Sequence, residues 1–206
     1  NTDDFAARYR KYIAKNKVNP NQILFLSERE PEKNGNLMLV KKWFEENEPE
    51  VEITEFINTK TVDQLRKKEL RDCAFKCATS AVIILDDFYP QLHSIQKRGE
   101  TKIVQLWHAC GAFKTFGLTR MGKQGGAPQT SMNHRNYDLV PVSSDTVRDI
   151  YAEAFGISGS KVQALGVPRT DLLFDWDYEE KKREELYGKY PILKENRVIL
   201  FAPTFR

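Results

Sequence analysis

Short apolar runs alternate with amphipathic segments along most of this chain, and this alternation constrains the fold more than any other feature. The apolar runs predict strands at 23–27, 51–57, 81–85, 101–106, 137–142, 162–165 and 197–202. The segments between them predict helices at 37–47, 62–79, 144–155 and 178–190. This order predicts an α/β fold, in which a mostly parallel sheet carries helices on both faces.

The composition is that of an ordinary globular protein. Charged side chains make up 30% of the 206 residues, and the net charge of +3 is too small to predict a nucleic-acid partner. The three cysteines form no CxxC pair, which favours a reducing, cytoplasmic setting. No apolar run approaches the roughly 18 residues of a membrane span. Because a new strand is predicted at 197–202, we expect one domain over residues 1–196 and the first strand of a truncated second domain at 197–206.

The segment WHACGAFKTFG at residues 107–117 follows a predicted strand. A histidine just past the carboxyl end of a strand lies where open α/β sheets place their chemistry, so His108 is a candidate general base. Small residues at 109–112 allow the backbone to approach a ligand closely, and Lys114 adds a charge that can meet a phosphate. The irregular, glycine-rich stretch at 109–136 is therefore predicted to be a substrate loop.

Several polar residues nearby have more than one interpretation. The spacing of the three histidines matches no common zinc site, so we predict no metal, and His93 is interpreted as an ordinary surface or helix histidine. His134 either orients substrate or caps a loop. Asp86 and Asp87 follow a buried strand, and they either orient a histidine or cap the next turn.

Basic residues close to glycine or proline turns form a further set of candidates. Arg169, in the sequence GVPRTD, either contacts an anion or forms a structural pair with Asp171. Loop cations can neutralise a phosphate or simply be solvated, and these are Lys114, Arg120, Lys123 and Arg135. The chain contains no GxGxxG, Walker or GxSxG motif, which disfavours the usual dinucleotide, NTPase and hydrolase functions.

A basic, aromatic segment lies near the start of the chain. Phe5, Tyr9, Tyr12 and Ile13 form a helical stripe beside five basic side chains, which are Arg8, Arg10, Lys11, Lys15 and Lys17. This combination suits contact with an anionic membrane surface. The alternative is a helix that docks on its own domain.

Six motifs in a fixed order resemble the CDP-glycerol glycerophosphotransferase family, the teichoic acid primases and polymerases. They cover about the last half of the chain, and they are QLWHA (105–109), KTFG (114–117), a tyrosine-bearing strand with serines (137–144), EAFG (153–156), GVPRTD (166–171) and APTFR (202–206). The first hundred residues match only loosely, in the turn at Gly35 and Asn36.

The resemblance implies the amino-terminal, acceptor-side half of a GT-B-type transferase with two Rossmann-like halves and no cofactor. His108 would take a proton from the terminal hydroxyl of a lipid-linked polyol-phosphate acceptor, which attacks CDP-glycerol and releases CMP. The donor would bind mainly to a carboxyl-terminal half. The implied substrate-binding residues are Trp107, Gly111, Lys114, Gly117, His134, Arg135, Arg169 and Arg206. The implied location is the cytoplasm, peripheral on the inner face of the bacterial cell membrane.

Other functions remain open at this stage. The chain has Ala109-Cys110 where many members of the family have Gly-Thr, so the donor is either CDP-glycerol or CDP-ribitol. A nucleotide-sugar glycosyltransferase of the same architecture would also need a base. A non-catalytic domain that docks on lipid or polymer is the third alternative, and the basic segment near the start of the chain is its motivation.

Overall fold

A parallel sheet forms the centre of the fold. The structure is a computed structural model that describes residues 2–203. Its strands are β1 (Asn19–Ser27), β2 (Glu52–Ile57), β3 (Ser80–Leu85), β4 (Lys102–Gln105), β5 (Val140–Pro141) and β6 (Val162–Gln163). Four of them pair in the order β2-β1-β3-β4, and β5 pairs with β6. All the pairs are parallel, and a parallel bridge between Val104 and Leu139 links the two groups of strands.

Helices cover both faces of this sheet, as the sequence predicts. They are α1 (Thr2–Ile13), α2 (Asn36–Asn47), α3 (Lys67–Thr79) and α4 (Asp145–Phe155). Successive residues of β1 point to opposite faces, so Leu24 joins a core with residues of α1, α3 and α4, while Phe25 packs beside Leu37 and Phe44 of α2. Burial on both faces explains why the two central strands, β1 and β3, contain continuous apolar runs.

Two predicted elements differ from the observed ones. The helix predicted at 62–79 is interrupted, because Leu65 and Arg66 are extended between a short 3-10 turn and α3. The carboxylate of Glu69 accepts a hydrogen bond of 2.7 Å from the backbone N–H of Arg66, which fixes the start of α3 at the next residue. The strands predicted at 137–142 and 162–165 are confirmed in position, but each is only two residues long.

The apolar stripe near the start of the chain faces its own domain. Phe5 and Tyr9 of α1 are buried in the core against α3, and Tyr12 and Ile13 pack against the same core. The Tyr9 hydroxyl also accepts a hydrogen bond of 3.2 Å from the backbone N–H of Arg98. The proposed lipid-facing stripe is therefore a docking face, and burial of its aromatic rings explains the helical spacing.

The chain divides into two compact units, Asn1–Arg169 and Thr170–Arg206. This division falls earlier than the boundary predicted after residue 196. The smaller unit contains α5 (Trp176–Lys189), where the sequence predicts a helix at 178–190, and Leu186, Leu193 and Val198 line a shallow apolar hollow within it.

The strand predicted at 197–202 is not formed in the structure. Residues 197–203 carry no regular secondary structure, and Ile199, Leu200 and Phe201 are exposed. A strand needs a neighbour with which to share backbone hydrogen bonds, and no other strand lies in the described part of this unit. The apolar sequence alone predicts a strand, but without a pairing partner in the described part of this unit the segment has no regular structure and is exposed.

Candidate functional site

Three strand ends meet at the carboxyl edge of the sheet and supply the polar residues of one cleft. β1 ends at Ser27, β3 is followed by Asp86 and Asp87, and β4 is followed closely by Trp107 and His108. β2 lies on one side of β1, and β3 and β4 lie on the other. The direction in which successive strands are added therefore reverses after β2. Open α/β sheets bind ligands outside such a switch point, and this is where the predicted base lies.

Trp107 adopts an uncommon backbone conformation that turns the chain sharply after β4. Its φ is +57°, in the left-handed region that favours glycine. Its N–H donates a hydrogen bond of 2.9 Å to Oε1 of Gln105, and its carbonyl oxygen accepts one of 2.9 Å from Nδ2 of Asn36. The indole packs against Phe116 and Phe155. Both backbone groups and the ring are thus held, which maintains the turn that presents His108.

The ring of His108 is oriented through its Nδ1 atom. The carbonyl oxygen of Asp86 lies 3.2 Å from Nδ1 and can only accept, so this hydrogen bond requires the proton on Nδ1. The neutral ring then carries its lone pair on Nε2. The side chain is 37% exposed and stacks on Trp107, with ring centroids 4.5 Å apart. The geometry therefore offers a basic nitrogen to a hydroxyl group in the cleft.

Asp86 and Asp87, the two aspartates after β3, contact different groups. The Asp86 carboxylate accepts a hydrogen bond of 2.8 Å from Oγ of Ser27, and burial raises the pKa of this carboxyl. Oδ1 of Asp87 accepts a hydrogen bond of 2.7 Å from the N–H of Phe88 and lies 3.7 Å from Nδ1 of His108. Asp87 thus both caps the turn and lies beside the ring of His108, so the two interpretations of this residue are compatible.

Asn36 connects three segments that are distant in the sequence. Besides its bond to the Trp107 carbonyl, its Oδ1 accepts a hydrogen bond of 3.0 Å from the backbone N–H of Arg169. The residue is only 2% exposed and is the first residue of α2. One amide side chain therefore ties the start of α2 to the turn at His108 and to the GVPR turn.

The cleft in front of His108 carries charges of both signs. It is lined by Arg29, Glu30, Glu32, Gly35, Asn36, Asp86, Trp107, His108 and Arg169. Arg29 Nη1 is 3.3 Å from Oδ2 of Asp87, and Arg169 Nη2 is 2.8 Å from Oε2 of Glu32. Sequence reasoning missed Arg29 and used Asn36 only as a loose family match, because no local motif marks either residue.

Behind Trp107 lies a buried layer of polar aromatic residues. Nε2 of Gln105 donates a hydrogen bond of 3.0 Å to the hydroxyl oxygen of Tyr137. The Tyr137 hydroxyl can therefore donate its own proton to Nδ1 of His134, at 2.9 Å. Burial lowers the pKa of His134 to about 4. Burial and the neighbouring His134 lower the pKa of His93 to about 3, so both rings are neutral at physiological pH.

The sequence predicts a surface or helix histidine at His93; this residue does end a 3-10 helix (Pro90–His93), but it is not at the surface. It is 6% exposed and stacks on Phe88 at a centroid distance of 5.2 Å. His134 is 7% exposed and packs on Phe155, so neither ring forms part of the cleft surface. The sequence alone does not distinguish a histidine buried behind Trp107 from one that faces the cleft.

Gly111, Lys114, Gly117 and Arg135 are not among the residues that line the cleft at His108. A Cβ on Gly117, whose φ is +54°, would lie 2.1 Å from the Ala154 carbonyl oxygen, so this glycine is required for packing against α4. Gly111 accepts a hydrogen bond of 3.1 Å from Tyr151, and Lys114 is exposed. Arg135 donates to the Gln129 carbonyl at 2.9 Å. Arg206 lies outside the described residues.

Residues 2–203 contain neither a metal-binding cluster nor a membrane-spanning helix. No group of three or more histidine, cysteine, aspartate or glutamate side chains in this range is arranged to hold a metal ion. None of the helices in this range combines the length and apolar composition that crossing a membrane requires.

The fold and the cleft define a Rossmann-like α/β domain with a partly exposed histidine, His108, in a cleft at the carboxyl edge of its sheet. The chain belongs to the CDP-Glycerol:Poly(glycerophosphate) glycerophosphotransferase family, whose model matches residues 8–206. Proteins of this family are teichoic acid transferases that use CDP-polyol donors. Family membership agrees with the resemblance carried by the six motifs.

Individual relatives include enzymes for both polyols. The chain is 43% identical over 189 residues to a teichoic acid poly(ribitol-phosphate) polymerase of Bacillus spizizenii, a match that covers 92% of this chain and 30% of the relative. It is 39% identical to the ribitol-phosphate polymerase TarK of Staphylococcus aureus, over 89% of this chain and 36% of the relative. It is 32% identical to a glycerol-phosphate primase of Bacillus subtilis, over 62% and 33%. The chain thus spans about a third of the length of these relatives.

Solved structures share the fold. The wall teichoic acid polymerase TagF, in a variant soaked with CDPG, matches with a TM-score of 0.73 at 15% identity, covering 98% of this chain and 53% of that chain. A second TagF structure matches with a TM-score of 0.70 over 99% of this chain and 53% of that chain.

Proposed function

We propose that this chain is the acceptor-side, general-base half of a polyol-phosphate transferase that builds teichoic acid or a related cell-surface polymer. The observation that carries this proposal is the His108 ring, whose Nδ1 is held by the Asp86 carbonyl while the ring remains open to the cleft. Membership of the family supports the same reaction class. The acceptor is a polyol-phosphate chain linked to lipid.

The reaction transfers a polyol phosphate to a hydroxyl group. The acceptor hydroxyl oxygen attacks the β-phosphorus of the CDP-polyol, and its proton passes to Nε2 of His108. The new oxygen–phosphorus bond forms as the pyrophosphate bond breaks, and CMP leaves with the bonding electron pair. Asp87, 3.7 Å from Nδ1, stabilises the imidazolium that results.

The identity of the polyol is the finer part of the proposal. CDP-glycerol is the donor that the sequence motifs imply. The three relatives named for ribitol-phosphate polymerisation are 38–43% identical to this chain, whereas those named for glycerol-phosphate priming are 29–32% identical. We therefore propose CDP-ribitol as the donor and keep CDP-glycerol as the alternative.

The donor would bind mainly to a second half, as in a GT-B arrangement. The exposed apolar residues Ile199, Leu200 and Phe201 support the proposal that 197–206 begin a donor-binding domain. A lipid-linked acceptor would place the enzyme in the cytoplasm, on the inner face of the membrane. Burial of Phe5 and Tyr9 argues against a lipid-facing stripe on α1, so the membrane contact is proposed to come from the acceptor rather than from this helix.

Donor preference tests the proposal directly. CMP release from CDP-ribitol and from CDP-glycerol would be measured with the full-length protein and a lipid-linked polyol-phosphate acceptor. We expect CDP-ribitol to give the larger kcat/KM. Preference for CDP-glycerol would restore the alternative, and release only from UDP- or GDP-sugars would identify a nucleotide-sugar glycosyltransferase instead. Absence of transfer from every donor would leave a docking domain.

A further inference from the structure

Two arginine side chains converge on a single carboxylate at the mouth of the cleft. Arg29 lies in the loop after β1, and Arg169 lies in the GVPR turn. Nη2 of Arg169 is 2.8 Å from Oε2 of Glu32, and Nη2 of Arg29 is 4.0 Å from Oε1 of the same residue. Each carboxylate oxygen therefore faces a different guanidinium group.

This arrangement suits a phosphodiester as well as a carboxylate. A phosphodiester also presents two charged oxygens, and guanidinium groups pair with either anion. Nε of Arg169 is buried and has no hydrogen-bond acceptor among residues 2–203, so this group keeps an unused donor. Glu32 is 60% exposed and lies on a loop, and such a surface ion pair contributes little, so an incoming anion can replace it.

The position of Arg29 relative to the base identifies which phosphate would bind. Arg29 Nη1 is 3.3 Å from Oδ2 of Asp87, and Oδ1 of Asp87 is 3.7 Å from Nδ1 of His108. The guanidinium group and the base therefore lie on either side of one carboxylate. In a polyol-phosphate chain, the reactive hydroxyl and the preceding phosphodiester lie at opposite ends of one polyol unit. Such an acceptor can place its hydroxyl at His108 and its phosphodiester at Arg29.

We propose that Arg29 and Arg169 form a subsite for the phosphodiester that precedes the acceptor's reactive polyol, and that Glu32 competes with this phosphodiester for the two guanidinium groups. The inference rests on the proposed function, because it takes His108 to be the base that deprotonates the acceptor. With this subsite, the negative charge of the acceptor polymer contributes to its binding beside His108.

Acceptor kinetics of the full-length enzyme test this subsite. Arg29→Gln should raise the KM for a polyol-phosphate acceptor by about tenfold, because one charge-assisted contact is lost, and should leave the KM for the CDP-polyol within about twofold. Arg29→Lys keeps the charge but not the guanidinium fork, and should give an intermediate KM. Glu32→Gln should lower the acceptor KM. Glu50→Gln removes an exposed carboxylate just before β2, outside the cleft, and should leave this KM unchanged.

The Arg29 and Glu32 variants test the subsite, and a His108 variant tests the proposed function. An unchanged acceptor KM in Arg29→Gln, or a rise in the donor KM instead, would overturn the acceptor subsite. A Glu32→Gln enzyme whose acceptor KM fails to fall would overturn the competition. Transfer that survives His108→Ala would count against the proposed function itself, and this outcome does not depend on the arginine variants. The 40% exposure of the Arg29 side chain makes loss of folding an improbable cause of any change, and thermal melting checks it.

Discussion

Trp107 is the residue whose conformation most directly determines the direction of His108. A left-handed backbone costs a non-glycine residue about 1–2 kcal/mol, and it persists only where neighbours determine it. Here Gln105 binds the N–H, Asn36 binds the carbonyl oxygen, and aromatic rings enclose the indole. The turn is thus specified by contacts on both sides of the residue rather than by its own preference.

Replacement of Asn36 should reduce activity more than binding. Asn36→Ala leaves the Trp107 carbonyl and the Arg169 N–H without partners, so we expect a loss of about 1–3 kcal/mol in the free energy of unfolding. Displacement of His108 should lower kcat about tenfold or more with a smaller change in KM. Urea unfolding and CMP release measure the two effects.

The matched control is Asn47→Ala, at the other end of α2. The Asn47 side chain also donates to a backbone carbonyl, that of Trp43, but it is exposed. This variant should keep kcat and lose little stability. Equal losses of kcat in both variants would show that Asn36 supports the helix and not the base.

The buried histidines should make the fold sensitive to mild acid. The folded-state pKa values of about 3 for His93 and about 4 for His134 lie below the ordinary value of 6.5. Between the folded-state pKa values and 6.5, the unfolded chain therefore binds more protons than the folded chain. The contribution of these rings to the free energy of unfolding is present above pH 6.5 and is lost as the pH falls toward 4. Each ring should contribute a loss of about 2–3 kcal/mol by pH 4. In urea unfolding, His93→Phe should reduce the difference in the free energy of unfolding between pH 7 and pH 5. An unchanged difference would contradict the role of His93 in this pH dependence.

At the level of helices and strands, the sequence predicted most of the fold but only part of the site. Periodicity located α2, α4 and the central strands because burial imposes it on the sequence. The break at Leu65 and Arg66 depends on a cap that competes with a favourable helical pattern. His108 is predicted as a candidate because it follows a strand, whereas the hydrogen bonds of Asn36 span 71 and 133 residues and leave no local pattern. The exposed run at 198–201 shows the converse, a strand pattern that lacks a partner.

Gly117 should matter for packing between its loop and α4. Gly117→Ala must place a Cβ about where the Ala154 carbonyl oxygen lies, in a backbone conformation with positive φ, so we expect a loss of roughly 2 kcal/mol or more. Gly111→Ala is the control, since a Cβ there meets nothing within 4 Å. Thermal melting compares the two. Full stability in Gly117→Ala, together with lost activity, would favour the direct substrate contact that the motifs imply.

At the scale of the whole molecule, the two compact units contain different features. The larger one contains the doubly covered sheet and the cleft, and the smaller one presents α5 and an exposed apolar segment. The matched segments cover only 30–36% of the relatives' own length. The proposed division of labour is that the base and the acceptor subsite lie in the larger unit, while the donor is supplied by a further half. Catalysis would then require both halves to meet at His108.

The most direct test of the proposed reaction is CMP release by full-length His108→Ala and His108→Gln with a lipid-linked polyol-phosphate acceptor. Removal of a general base should lower kcat by about 10²- to 10⁴-fold with little change in the KM for the CDP-polyol. The glutamine variant keeps a polar side chain but offers no basic nitrogen, so it should be as impaired as the alanine variant. Added imidazole should restore part of the rate in His108→Ala. A rate within about twofold of the unmodified enzyme in both variants would contradict the assignment of His108 as the base.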